Sequence, residues 1–270
     1  MLVQRPSGIA GVTVIILILL AAAIGAVATP YDPTMVDSAS RLSPPSWTHW
    51  LGTDEWGRDV LSRLLSGTAV TVAVAGLTTM LVTVTGALLG AFSGLAGGWL
   101  DRGVVALMDA FLAFPALVLA IAMTAVLAGS SLAPVVALGV AYLPYMVRVV
   151  RAHVLTLRGR DFIAASRVMG NGPAYTLLRH VMPNTVAPVL VMSTSLFGWA
   201  LLAESALSFL GLGLPPPAAS WGGMLADSRN YFADAPWLAL APGFAISTAL
   251  LGINLFGDFC RDYFDSKTKD

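Results

Sequence analysis

FIAASRVMGNGPAYTLLRHVMP, Phe162 to Pro183, separates two long apolar runs and decides how the chain is arranged. It carries Arg167, Arg179 and His180, and Gly170, Gly172 and Pro173 interrupt it. Arg148, Arg151, Arg158 and Arg160 lie just upstream, so residues 148–180 hold six arginines against one acid, Asp161. Lys and Arg are enriched in cytoplasmic loops close to membrane ends. The stretch therefore reads as a cytoplasmic loop between two membrane helices.

Composition agrees. Of 270 residues, 57% are hydrophobic and 11% charged, with a mean hydropathy of +0.79; an ordinary soluble domain carries about 25% charged residues. Apolar runs reach the roughly 20 residues that a helix needs to cross a bilayer. The expected fold class is an all-α membrane protein. Net charge is zero, so no basic footprint for a nucleic-acid partner exists. Cys260 is the single cysteine, which excludes an intrachain disulfide and a thiolate metal cluster. Thirteen arginines against two lysines, with abundant Ala and Gly, read as a GC-rich bacterial gene.

Charge, Gly and Pro punctuate six expected spans, at about 9–28, 68–94, 104–128, 132–153, 184–210 and 237–257. The first follows Arg5 and ends on Ala26-Val27-Ala28, which looks like a signal-peptidase site. A secretory h-region is about 7–15 residues; this 20-residue run reads instead as an uncleaved helix. Segments 29–66 and 212–236 contain several prolines and are net acidic. With six spans and the arginine-rich loop inside, both termini are expected in the cytoplasm, in agreement with Arg5, Lys267 and Lys269. The two acidic segments then face outward. The expected organisation is an N-terminal helix and extracytoplasmic segment over 1–66 and a core transmembrane domain over 67–260. That core contains the cytoplasmic loop 154–183, and a cytoplasmic tail follows over 261–270. No polar stretch is long enough for a folded core of its own.

Local signals divide the opening stretch into two short helices. Asp161 is placed as the N-cap of a helix starting at Phe162. Phe162, Ala165, Ser166 and Met169 fall at i, i+3, i+4 and i+7, one small-to-apolar face. Gly170 suits a left-handed helix end. Pro173 suits the first turn of a second helix, expected to end at Pro183 where the next span begins. The bland alternative is a loop whose charge only fixes topology.

Catalytic patterns are absent. No G-x-x-x-x-G-K-[ST] occurs, and Lys267 and Lys269 are the only lysines, so no P-loop lysine meets a nucleotide. No Ser/His/Asp or H-E-x-x-H arrangement is found, and His49, His153 and His180 are too scattered for a metal site. The chain is expected not to be an enzyme and to hold no cofactor. Energy for active transport would enter through a partner or an ion gradient.

Ala164-Ala165-Ser166, then Gly170 and, thirteen residues on, Pro183 resemble the EAA signature of ATP-binding-cassette importer permeases. Three further motifs narrow the resemblance. His49-Trp50-Leu51-Gly52-Thr53-Asp54 with Gly57-Arg58-Asp59 and Ser62-Arg63 resembles LGTD-x-x-GRD-x-x-SR, and His180-Val181-Met182-Pro183-Asn184 resembles HVLPN. Ala203 to Gly213, followed by Pro217 and Ser220-Trp221-Gly222, is similar to a third. The chain is identified as a member of the C-type permease group of peptide and nickel importers, similar to the dipeptide permease C subunit.

That resemblance implies a type I importer permease fold with six transmembrane helices in the bacterial inner membrane. It implies a B-type permease partner, two ATPase subunits that bind ATP and Mg, and an extracytoplasmic substrate-binding protein. It makes 161–172 a coupling helix, seated on an ATPase and moving as a lever in alternating access. ATPase coupling is thereby assigned to Arg160, Asp161, Phe162, Ala164, Ala165, Ser166, Met169, Gly170 and Pro183. Ala164 stands where the family often has Glu, leaving Arg160, Asp161 and Arg167 for polar contacts. Loops 29–66 and 212–236 become candidate docking and gate surfaces, although Trp47, Trp50, Trp56, Trp221 and Trp237 read equally as membrane-interface anchors. Short peptides are the favoured substrate. Nickel and glutathione are alternatives, and a secondary transporter is a distant one.

Glu204 lies deep in the fifth span beside Ser205 and Ser208. A charge at the bilayer centre costs about 2.5–3.5 kcal/mol on insertion scales, so it faces protein or water. These three are candidates for the translocation path, with a structural tie between helices as the alternative. Asp109 reads as a dipole partner in the first turns of the third span.

Overall fold

The computed structural model describes residues 6–127 and 130–266. Arg5, Lys267 and Lys269, used above for orientation, lie outside them. Five helices are long and apolar enough to cross a membrane: α1 (Pro6–Val27), α2 (Val60–Ala96), α5 (Ala133–Arg158), α8 (Met182–Phe209) with the turns before it, and α10 (Trp237–Ser266). Between them lie α3 (Gly98–Leu112), α4 (Ala116–Val126), α6 (Asp161–Val168), α7 (Pro173–Thr176) and α9 (Trp221–Ser228). No strand is present among the described residues.

The α2 helix starts well before the expected position 68. The Asp59 carboxylate caps it, accepting from the Ser62 amide at 2.8 Å and the Ser62 hydroxyl at 2.7 Å. It stops at Gly97, which has φ +67. The expected third span is not one straight helix: α3 and α4 meet at 91°. Pro115 explains the break, because it lacks an amide proton and biases Phe114 away from helical geometry. The 11 residues of α4 rise only about 16 Å, half of a hydrocarbon core.

Close backbone approach holds the bundle. Gly86, Gly90 and Gly94 face α5 from successive turns of α2, and a carbon on Gly90 would lie 2.6 Å from the Val147 carbonyl. Without a hydrophobic drive between helices in lipid, such small-residue seams carry association. The α1 helix is fixed similarly: a carbon on Gly25 would sit 1.9 Å from the Leu65 carbonyl, and one on Gly11 2.7 Å from the Phe256 amide. Gly8 faces Phe259 and Gly252 faces Val14, so α1 and α10 run antiparallel.

The two ends of the bundle differ. At one end, Val60 packs with Met224, Ala235 and Leu238, joining segments 28–59 and 210–236 into one cap. The Trp237 indole NH donates to the Thr53 carbonyl across this cap at 3.3 Å. At the other end, Ile163 of α6 is buried with Leu95, Val150, Val154 and Val181. The 37 residues of α2 separate the two ends by about 55 Å.

Candidate functional site

The first candidate is the hairpin between α5 and α8. The Arg160 carbonyl accepts from the Ile163 and Ala164 amides at 3.1 and 3.2 Å, so Arg160 is the capping position and Asp161 lies in the first turn. Asp161 therefore meets the helix dipole instead of capping the helix as expected. Gly170 has φ +79, and a carbon there would meet nothing within 4 Å. The backbone requires glycine at this position, not the space around it. The Asn171 amide donates to the Ser166 carbonyl at 3.1 Å, the 6→1 bond of a Schellman end.

Pro173 opens α7 as expected, but the second helix does not end at Pro183. A π-helical turn, Leu177–Val181, joins α7 to α8, and the Met182 amide reaches back to the Leu177 carbonyl. Pro183 brings no amide proton and a bulky ring, and the wider turn before it accommodates both without a break.

The faces of α6 also differ from expectation. Ser166 is fully buried, its hydroxyl 3.1 Å from the Thr176 hydroxyl and 3.3 Å from the Asn171 side-chain amide. It closes the hairpin and is not on the outer face. Phe162, Ala164, Ala165, Val168 and Met169 are exposed, as are Arg160, Asp161, Gly170 and Pro183. The Arg167 side chain, expected above to supply polar contacts, lies outside the described residues. His180 packs between the rings of Phe162 and Tyr175, at centroid distances of 6.3 and 5.8 Å, and holds α6 on the following turn. A cavity of about 790 Å³ separates the end of α2 from Arg158 and α7.

Beside the hairpin, two ion pairs tie α3 to α5. The Asp101 carboxylate accepts from Arg151 Nε at 2.5 Å, from Arg151 Nη2 at 2.7 Å and from the Ser93 hydroxyl at 2.5 Å. Asp109 pairs with Arg148 at 2.6 Å. The reading of Asp109 as an N-terminal dipole partner is corrected. Because α3 begins at Gly98, Asp109 lies near its C-terminal end and is held by an arginine instead.

The second candidate surrounds Glu204, buried where α2, α8 and α9 meet. Ser208 donates to its Oε1 at 2.7 Å, and Oε2 has no hydrogen-bond partner among the described residues. Ser205 donates to the Leu201 carbonyl. The first turn of α9 presses on this point: a carbon on Gly222 would lie 2.1 Å from the Ser205 carbonyl. The Trp221 amide and indole NH bond Thr71 and Thr68 of α2, each at 3.2 Å. Of the three path candidates, Ser208 alone lines the adjacent cleft of about 590 Å³.

That cleft also meets Glu55, Arg58, Arg63 and Asp227. Asp54 organises them from behind. Its carboxylate accepts from the Trp56 and Arg58 amides, each at 2.9 Å. It also pairs with Arg58 at 2.7 Å and Arg63 at 3.3 Å. Arg63 further reaches Asp227 at 3.4 Å. Burial pushes the Glu55 carboxyl up from its ordinary range, with Asp54 and Asp227 adding repulsion that Arg58 opposes. Burial raises Asp227 as well, against the pull of Arg63 and Arg58.

The profile of a family described as the binding-protein-dependent transport system inner membrane component matches residues 86–270. The chain belongs to that family. A protein of Brucella suis biovar 1, provisionally named a peptide transport system permease, is 41% identical over 99% of this chain and 90% of its own length. The dipeptide transport system permease protein DppC of Alkalihalophilus pseudofirmus is 37% identical over 97% of this chain and 86% of its own.

The match runs from Gly86 in α2 through α10. The hairpin, Glu204 and the α9 wall of the cleft lie inside it. Asp54, Glu55, Arg58 and Arg63 lie before it, in a part that the relatives also cover. Sequence reasoning missed Asn171 and Thr176 as hairpin locks, and the clustering of Glu55, Arg63 and Asp227. The signal for the cluster was present, since LGTD-x-x-GRD-x-x-SR is dense in paired charges at short spacing.

Proposed function

We propose that the chain is the permease subunit of an ATP-driven importer of short peptides. Membership of the inner-membrane-component family, with relatives named for peptide and dipeptide transport, carries this reading. In it, six membrane crossings, the bent α3–α4 pair counted as one, place both termini and the hairpin in the cytoplasm. The cap at the other end faces outward, toward a substrate-binding protein. A B-type permease completes the pathway. Two partner ATPases bind ATP and Mg and hydrolyse ATP, and the chain itself catalyses nothing. The exposed Phe162–Met169 face of α6 docks on one ATPase, and the buried Ile163 and the Ser166–Thr176 bond transmit its movement into α2, α5 and α8.

The test is reconstitution of the complex in liposomes. ATP-dependent uptake of labelled Ala-Ala is expected, and its absence overturns the reading. A Cys260→Ser background with cysteines at Ala164 and Trp47 is expected to label with impermeant maleimide from opposite sides.

Glu204 has a separate expected result. Gln at this position preserves volume and the bond from Ser208, so Glu204→Gln keeps assembly and keeps uptake within about threefold of wild type, since less than 1 kcal/mol is at stake. Glu204→Leu strands the buried Ser208 hydroxyl, at about 1–3 kcal/mol, and lowers the yield of assembled complex. An assembled Glu204→Gln complex without uptake would place the carboxylate charge on the translocation path.

A further inference from the structure

The cavity of about 790 Å³ at the hairpin end of the bundle is apolar on most sides and basic on one. Phe92 and Leu95 of α2 line it, with Pro173 and Leu177 from the hairpin. Its polar side chains are Asn171, Thr176 and Arg158. Asn171 and Thr176 are engaged by the Ser166 hydroxyl inside the hairpin. Arg158 is exposed, and its guanidinium has no ion pair or hydrogen bond among the described residues. A second exposed guanidinium stands close by. A carbon on Gly97 would lie 2.5 Å from Arg158 Nη1, and Arg102 Nε donates to the Gly98 carbonyl at 3.4 Å. Two cations therefore meet at the turn that ends α2. Asp101, three residues beyond Gly98, is already engaged by Nε and Nη2 of Arg151.

The α2 surface that runs into this cavity is apolar and open. Val84, Leu88 and Phe92 stand at i, i+4 and i+8, and all three are exposed. Each lies two residues, about 200° of turn, from a glycine of the Gly86–Gly90–Gly94 seam, so the stripe points away from α5. It is about 12 Å long, against the roughly 15 Å depth of one hydrocarbon leaflet. Basic pockets between membrane helices at the cytoplasmic surface hold anionic lipid headgroups.

We propose that this cavity binds an anionic phospholipid, with its headgroup phosphate on Arg158, flanked by Arg102, and one acyl chain along Phe92, Leu88 and Val84. The proposal goes beyond the transport reading and needs only that the hairpin end of the bundle meets the bilayer surface. A guanidinium fork matches a phosphate oxygen pair. A free phosphate would leave the apolar walls unfilled. A choline lipid carries its own cation beside the phosphate, so the two arginines favour a headgroup without one.

The experiment uses the assembled permease–ATPase complex in phosphatidylcholine liposomes with a trace of phosphatidylglycerol that bears a diazirine in its acyl chain. Labelling within residues 84–96 of α2 is expected, about tenfold above that by the matched phosphatidylcholine probe. Unlabelled phosphatidylglycerol is expected to suppress it, and inorganic phosphate is expected to leave it unchanged. Arg158→Gln is expected to lose most of the preference between the two probes. The two-probe comparison is made on the unmodified complex and stands even if Arg158→Gln does not assemble. Equal labelling by the two probes overturns the proposal, as does an undiminished preference in an assembled Arg158→Gln complex. Suppression by inorganic phosphate overturns it in favour of a free anion, and no labelling within 84–96 overturns it outright. Ala-Ala uptake by the same liposomes tests the transport reading separately, so either can fail without the other.

Discussion

Ala165→Trp in α6 is expected to abolish peptide-stimulated ATP hydrolysis by the reconstituted complex and to cut uptake by about a hundredfold, with the subunit still inserted. Ala165 is exposed between Phe162 at i−3 and Met169 at i+4, and the three form one stripe on the side of α6 away from Ile163. Phe162 is 40% exposed and Met169 71%. An indole in the middle of that stripe holds any partner surface away from its neighbours. Losing a central contact of an interface costs about 2–4 kcal/mol, and about 3 kcal/mol is a hundredfold in occupancy. The substitution touches nothing inside the bundle, so folding is spared. Gly170→Pro acts differently, because proline is locked near φ −65° and Gly170 has φ +79. It removes the bend between α6 and α7 and should lose coupling together with hairpin order. Unchanged peptide-stimulated ATPase activity in Ala165→Trp would sink the docking role of this face.

The hairpin was legible in the sequence because its signals are local. Gly170 at a left-handed helix end and Pro173 in a first turn follow from the backbone requirements of those two residue types alone. What was not legible depends on tertiary neighbours. Ser166 shares a helical face with Phe162 by spacing, yet Thr176 and Asn171 draw its hydroxyl inward. Pro183 reads as a stop, yet a π-turn five residues long absorbs it. The break between α3 and α4 was signalled by Pro115, but membrane prolines often only kink a helix, and nothing local sets an angle of 91°. Asp109 falls near the end of α3 and not in its first turns because the helix starts at Gly98, before the first apolar residues that mark the span in the sequence. In the cleft, the charges of residues 54–63 were visible, but their meeting with Asp227 spans more than 160 residues of chain. Only the fold brings that pair together.

A second large effect is expected deep in the bundle. Gly90→Leu should leave little folded subunit, and Gly90→Ala should already lower the thermal unfolding midpoint in detergent. A carbon at Gly90 would lie 2.6 Å from the Val147 carbonyl, 3.1 Å from Val150 Cβ and 3.2 Å from the Arg151 amide. Two of these are backbone atoms, so no side chain can swing away; α5 itself must move. Overpacking a fitted core costs about 1–3 kcal/mol, and a displaced seam loses its neighbours as well. Gly86 and Gly94 also meet α5 closely one turn to either side, at the Met146 side chain (2.7 Å) and at Val154 Cβ (3.1 Å), so the strain is shared along the whole contact. Gly243→Leu is the matched control, since a carbon there meets nothing within 4 Å. Equal midpoints for the two leucine variants would overturn the seam. The consequence extends to transport, because α5 continues to Arg158 and the hairpin hangs from it. Leu95 of α2 and Val150 and Val154 of α5 form the seat of Ile163. A rigid α2–α5 pair is what lets a push on α6 move the bundle, so Gly90→Ala complexes that survive purification should hydrolyse ATP with reduced peptide uptake per ATP.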